Sequence, residues 1–367
     1  MVELAGVSGT RQAPTCGYHV ALDRDRARTP DSLNLRMATD LEDVAAYYRH
    51  FAGRELHGSS PTYERIALAL ADDPEALAVI SDLPVLKRQV NLVLTALRVD
   101  GAPLDDPEGV ARHLVERADL VRAIVLARGT QTNEARRIGT LLPEILREPG
   151  PIALIEVGAS AGLCLHPDRY DVRFDDGTSV GDPSSPVRLE VALRGRVPAV
   201  RHPLEVGWRA GIDLNPLDVC KAEDMDWLRA LVWPEHVERA DRLNSAIGVA
   251  GEHHVEIVRG DLVEEIKPLL ARVPSGLRPV VFHTAVLAYL PSERRHEFAR
   301  IMTAHPEVTW LANEGDGIVR HDDGSLEVGR PNPDSPGWSE SPAPFVLARD
   351  GRPVALTQAH GEWVEFL

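Results

Sequence analysis

The chain has 367 residues, 44% of them hydrophobic and 26% charged, and Asp plus Glu outnumber Lys plus Arg 56 to 40 for a formal charge of -16. That length exceeds what one compact core usually takes, so two domains are expected. The acid surplus argues against a large nucleic-acid footprint and against an anionic membrane surface, both of which would repel it.

Residues 1–35 lack periodicity and read as an irregular lead-in. From 36 to 150 the grammar is helical. "TDLEDVAAYYRHFAG" has a cap at Thr39 or Asp40 and a stop at Gly53. "SSPTYERIALALADD" sets Ser60 before Pro61, the favoured N-cap and first-turn pairing. "LPVLKRQVNLVLTALRVDG" spaces Val85, Leu86, Val90, Val93, Leu94 and Leu97 at helical intervals up to Gly101. "PEGVARHLVERADLVRAIVLARG" and "QTNEARRIGTLLPEILREPG" complete the block, the second with Thr132 as a candidate cap.

From 151 to 367 short apolar strands alternate with helices, the sign of a parallel sheet. The strands are "IALIEV", "GWRAGIDL", "HVEIVRG", "PVVFHTAV" and "VTWLANE". Between them lie helical stretches beginning at "LDVCKAEDMDW", "PEHVERADRLN", "VEEIKPLLARV" and "SERRHEFARIMTA". A β insertion at 166–207, with "YDVRF" and "VRLEVALRG", interrupts the alternation. The tail reads as a hairpin turning at Asp350-Gly351, and 330–344 is a Pro/Ser-rich loop.

Ligands of open parallel sheets bind at the carboxyl ends of the strands, so residues there carry the information. The first strand ends in Glu156 and a turn of small residues, Gly158-Ala159-Ser160-Ala161-Gly162, where missing side chains let a ligand approach the backbone. A helix is expected to follow and to offer free N–H groups. The second strand ends in Asp213, suited to two ribose hydroxyls, and the third in Asp261, suited to an exocyclic amine. Three acids beside a glycine turn do not suit a pyrophosphate. An NAD-type site would need three ordered glycines, and Ser160 and Leu163 stand where they are wanted.

"LIEVGASAG", "GIDLNP" and "RGDL", in that order, resemble the first three motifs of class I S-adenosylmethionine-dependent methyltransferases. The resemblance implies a Rossmann-like sheet. It also implies that Glu156, Gly158, Ser160 and Gly162 wrap the methionine part of the cofactor, that Asp213 holds the ribose, and that Asp261 faces the adenine. Over nearly the whole chain, "QTNEARR", "LIEVGASAGL", "DRYDVRF", "GIDLNPLDV", "WLRALVWPE" and "VLAYLP" are similar to a bacterial family catalogued as domain of unknown function 2332. Its members join a helical N-terminal part to such a core.

The chemistry would fall to the fourth and fifth strand ends. His283 stands where many methyltransferases carry an acid and is the candidate general base, with Tyr289 beyond it and Glu314 to pair with the histidine or a substrate amine. Gln131, Asn133 and Glu134 are candidates for a lid or substrate contact. No metal cluster such as H-E-x-x-H occurs. Cys16, Cys164 and Cys220 show no C-x-x-C spacing, and no apolar run nears the roughly 20 residues of a membrane helix, so the expectation is cytoplasmic. The reading is a methyltransferase acting on a small molecule. The alternatives are a catalytically inactive binding or regulatory descendant, and a serine hydrolase in which Ser160 heads a nucleophile elbow with His360 as its late histidine. The elbow would leave "GIDLNP" and "GDL" unexplained.

Overall fold

The computed structural model describes residues 41–199, 202–315, 318 and 344–367; the lead-in, the caps proposed at Thr39 and Asp40, and nearly all of the 330–344 loop lie outside them. Among the described residues seven helices come first: α1 (Leu41–Phe51), α2 (Pro61–Asp72), α3 (Pro74–Ser81), α4 (Val90–Val99), α5 (Pro107–Glu116), α6 (Ala118–Ala127) and α7 (Arg137–Ile145). Three of them open on one device, a capping side chain followed by proline. Ser60, Asp73 and Asp106 accept N–H groups of the first turn, and Pro61, Pro74 and Pro107 have no N–H to leave orphaned.

Four helical boundaries differ from expectation. α1 does not stop at Gly53 but winds on as a π turn, Ala52–Leu56. Val85–Lys87 form only a 3-10 turn before α4, leaving Leu86 exposed. The 107–127 stretch breaks at Arg117, whose guanidinium forks onto Asp100. Thr132 caps nothing, because α7 begins at Arg137 and residues 131–134 are bonded elsewhere.

The chain is a mixed α/β protein. Its strands are β1 (Ile152–Val157), β2 (Asp171–Phe174), β3 (Ser179–Gly181), β4 (Arg188–Gly195), β5 (Val206–Asp213), β6 (Glu256–Arg259), β7 (Arg278–Thr284), β8 (Thr309–Gly315), β9 (Phe345–Arg349), β10 (Arg352–Thr357) and β11 (Trp363–Phe366). Together they form one large, mostly parallel sheet in the order β3-β2-β4-β11-β10-β9-β8-β7-β1-β5-β6. The remaining helices are α8 (Ala222–Ala230), α9 (Val237–Glu252), α10 (Leu262–Leu270) and α11 (Ser292–Thr303).

β6, β5, β1, β7 and β8 are parallel neighbours, and all six residues of β1 are buried. Strand side chains alternate, and β1 divides them between two cores. Ile152 and Leu154 join the core that runs through α1–α9, and Ile155 and Val157 join that of α10 and α11. The helical block therefore shares one continuous apolar core with a face of the sheet. The inserted strands extend the same sheet at its far side, where β4 pairs in parallel with β11. Asp350 and Gly351, both with positive φ, turn the β9–β10 hairpin as expected. Among the described residues no helix is long and apolar enough to cross a membrane.

Candidate functional site

Sequence order reverses about β1: β5 and β6 lie on one side of it, β7 and β8 on the other. Such a switch point leaves a crevice at the strands' carboxyl ends, and the 158–162 turn stands in it. Gly158 and Gly162 have φ of 72° and 73°, and Ser160 has 53°. At Gly158 the reason is also steric, since a Cβ would meet Val286 Cγ2 at 2.3 Å. The helix expected after the turn is absent. Two 3-10 turns, Leu163–Leu165 and Pro167–Arg169, replace it, so no helix N-terminus faces the turn.

The acids are arranged around this turn, and two already have partners. Asp213 Oδ2 accepts the Ser160 N–H at 2.8 Å and its Oδ1 accepts the Asn215 N–H at 2.8 Å, joining the end of β5 to the turn. Asp261 caps α10 through the Val263 N–H and pairs with Arg294 at 2.6 Å. Glu156 differs. It is buried, its Oε2 has no hydrogen-bond partner, and burial holds its carboxyl well above the usual range. Cys164, also buried, lies against it, and burial likewise pushes that thiol up.

A strap from the helical block closes over the turn. Asn133 Nδ2 donates to the Ala159 carbonyl at 3.1 Å, and its Oδ1 accepts the Leu163 N–H at 2.8 Å. Gln131 Nε2 donates to the Asn215 carbonyl at 2.6 Å and reaches Asp213 at 3.4 Å. Ser160 Oγ donates to the Gln131 carbonyl at 3.3 Å. Glu134 points the other way. Its two oxygens take Arg242 Nε at 2.9 Å and Arg239 Nε at 3.0 Å. Although burial opposes ionisation, these guanidiniums hold its carboxyl down at about 2.

His283 and Glu314 pair as expected, with Nδ1 to Oε1 at 2.6 Å, but not in the crevice. Phe282 pairs with Glu156 in the β1–β7 register, so His283 projects to the opposite face. There it is 0% exposed, between Phe298 and Trp310. Trp310 Nε1 donates to His283 Nε2 at 3.0 Å. An indole N–H is only a donor, so Nε2 must accept and the proton must sit on Nδ1, facing Glu314. Glu314 also accepts the Val286 and Leu287 N–H groups, fixing the turn that presses on Gly158. His283 therefore has no free nitrogen lone pair for a substrate proton. Tyr289 stands 62% exposed on the 287–289 turn, with no bond to His283 or Glu314.

The structure thus brings together Glu156, Gly158, Ser160, Gly162, Asp213, Gln131 and Asn133, engages Asp261 with Arg294 and the α10 cap beside them, and puts His283 and Glu314 on the other face of the sheet. Ser160 Oγ has no imidazole partner among the described residues. Trp310 and Val286 were missed from sequence. Trp310 was within reach, because it precedes Glu314 by four positions on a strand and so shares its face. Residues 45–366 match the family described as "Uncharacterized protein conserved in bacteria (DUF2332)". The chain matches no curated protein and no solved structure.

Proposed function

The chain belongs to the bacterial family DUF2332, and from that premise we propose that it binds S-adenosylmethionine at the 158–162 turn and passes its methyl group to a small molecule. The carrying observation is the bond from the Ser160 N–H to Asp213. It puts a glycine turn and an acid side by side at the switch point of a β6-β5-β1-β7-β8 order, the arrangement a class I methyltransferase core uses. The residue that fits such a group is Glu156, whose buried Oε2 has no hydrogen-bond partner. Glu156 would take the amino end, and Asp213 the ribose hydroxyls. When bound, the cofactor supplies an electrophilic methyl on a sulfonium. The chain's own part is to position a nucleophile and exclude water, with Gln131 and Asn133 as the roof. His283 is not given the role of base.

A second reading is favoured by the same strap. Asp213 and the turn are already bonded by Gln131 and Asn133, as in a binding or regulatory protein whose cradle is held by its own side chains. Calorimetric titration with S-adenosylmethionine and S-adenosylhomocysteine, in the native chain and in Asp213→Ala, tests both. Binding that is lost in the variant supports the cofactor site, and methyl transfer to an acceptor then separates the two. No binding of either compound overturns the methyl-transfer reading and leaves the second, which methyl transfer would overturn.

A further inference from the structure

Glu156 Oε2 is not the only acceptor near the 158–162 turn that is shut off from water without a donor. Gln131 Oε1, in the strap, is another. The Gln131 amide cannot turn over to relieve it. Its Nε2 donates to the Asn215 carbonyl and reaches Asp213, so a reversed amide would set oxygen against a carbonyl and a carboxylate. Oε1 is therefore an acceptor held without a donor, an arrangement that costs stability until a donor arrives.

Asp213 beside it is nearly full. A carboxylate offers about four lone-pair sites. The N–H groups of Ser160 and Asn215 take two, and the Gln131 amide leans on a third. About one site is left, whereas a ribose diol brings a pair of hydroxyl donors. Gln131 Oε1 shares its carbon with Nε2, which stands 3.4 Å from Asp213, and so stays within reach of the same diol. We propose that Gln131 Oε1 accepts one hydroxyl of the cofactor's ribose and Asp213 the other. This deepens the S-adenosylmethionine reading and rests on it. Gln131 is then a specificity-determining residue, supplied by the helical block rather than by the sheet. The two acceptors together select a ribonucleoside over a deoxynucleoside.

The test is calorimetric titration of the full chain with S-adenosylhomocysteine and with its 2′-deoxy and 3′-deoxy analogues. Each is titrated into the native protein and into Gln131→Met, which keeps the side chain's length and removes the acceptor. The native chain should bind each analogue about tenfold more weakly than the parent, the loss of one hydrogen bond. In the variant one of those losses should shrink to about twofold or less, because that hydroxyl's partner is gone. The other, read by Asp213, should persist in full. A strap that only holds the turn would weaken all three ligands alike in the variant, and that result overturns the assignment. So does a native chain indifferent to either hydroxyl. Should Gln131→Met not fold, Gln131→Asn, which draws the amide back by one methylene, goes through the same comparison. Failure of the native chain to bind S-adenosylhomocysteine strikes the cofactor reading and this assignment together, whereas equal weakening strikes the assignment alone.

Discussion

Trp310 holds His283 in one tautomer: its indole N–H occupies Nε2, and the remaining ring proton is committed to Glu314. The three residues form a buried brace between β7 and β8. Trp310→Phe leaves Nε2 without a partner and should cost about 1–3 kcal/mol of stability, the range for an unmet buried polar group. Denaturant unfolding measures it. Affinity for any ligand of the crevice should stay within about twofold, since the brace lies on the other face of the sheet. A large loss of affinity with unchanged stability would refute the brace.

Gly158→Ala should destabilise the fold by about 2–4 kcal/mol, adding a left-handed backbone penalty to an overpacked contact with Val286. Val286→Ala in the same chain should recover the steric part and leave the backbone part. A double-mutant cycle read by urea midpoints separates them.

Acid should unfold this protein from mildly acidic pH downward. Burial, reinforced by Arg239, lowers His360 from 6.5 to about 2, and burial with Arg209 lowers His166 to about 4. The unfolded chain therefore takes up these protons first, and stability is lost as pH falls below 6.5. Glu134, lowered from 4.5 to about 2, contributes above 4.5 and loses that contribution below it. All three act in the same direction, each by at most about 1.4 kcal/mol per pH unit. Unfolding midpoints at several pH values should decline accordingly, and His360→Gln should flatten the slope between 6.5 and 4.5.

Thiol chemistry should separate Cys220 from Cys164. Cys220 is exposed, with its sulfur 2.9 Å from His254 Nε2, whereas Cys164 is buried and kept in its thiol form. Iodoacetamide on the native chain should label Cys220 and spare Cys164 until denaturant is added. Peptide mass spectrometry reads the ratio directly, and equal labelling would contradict the burial of Cys164.

The central strands β1, β7 and β8 were legible because each is a short, mostly apolar run, and strands buried on both faces need little more. Ser60-Pro61 and Asp350-Gly351 were legible because their local chemistry allows few alternatives. The 131–134 segment was not. Its polar residues look like a cap box, and only tertiary bonds to Ala159, Leu163 and Asp213 pull it out of the helix. His283 shows the other limit. Its place at a strand end was readable, but which face it takes follows from register, and its fate from a tryptophan on the neighbouring strand. Arg239 and Arg242 share one face of α9 at a spacing of three, yet their convergence on Glu134 joins segments far apart in the chain.

The position of β11 has a consequence in time. It is hydrogen-bonded between β10 and β4, so the inserted strands dock onto a partner that leaves the ribosome long after they do. Until then β4 waits with an open edge, and synthesis halted before residue 363 would leave both β4 and β10 exposed to strands of other chains. Synthesis of residues 363–366 is thus itself a folding step, and termination before them should yield aggregates rather than a smaller working protein.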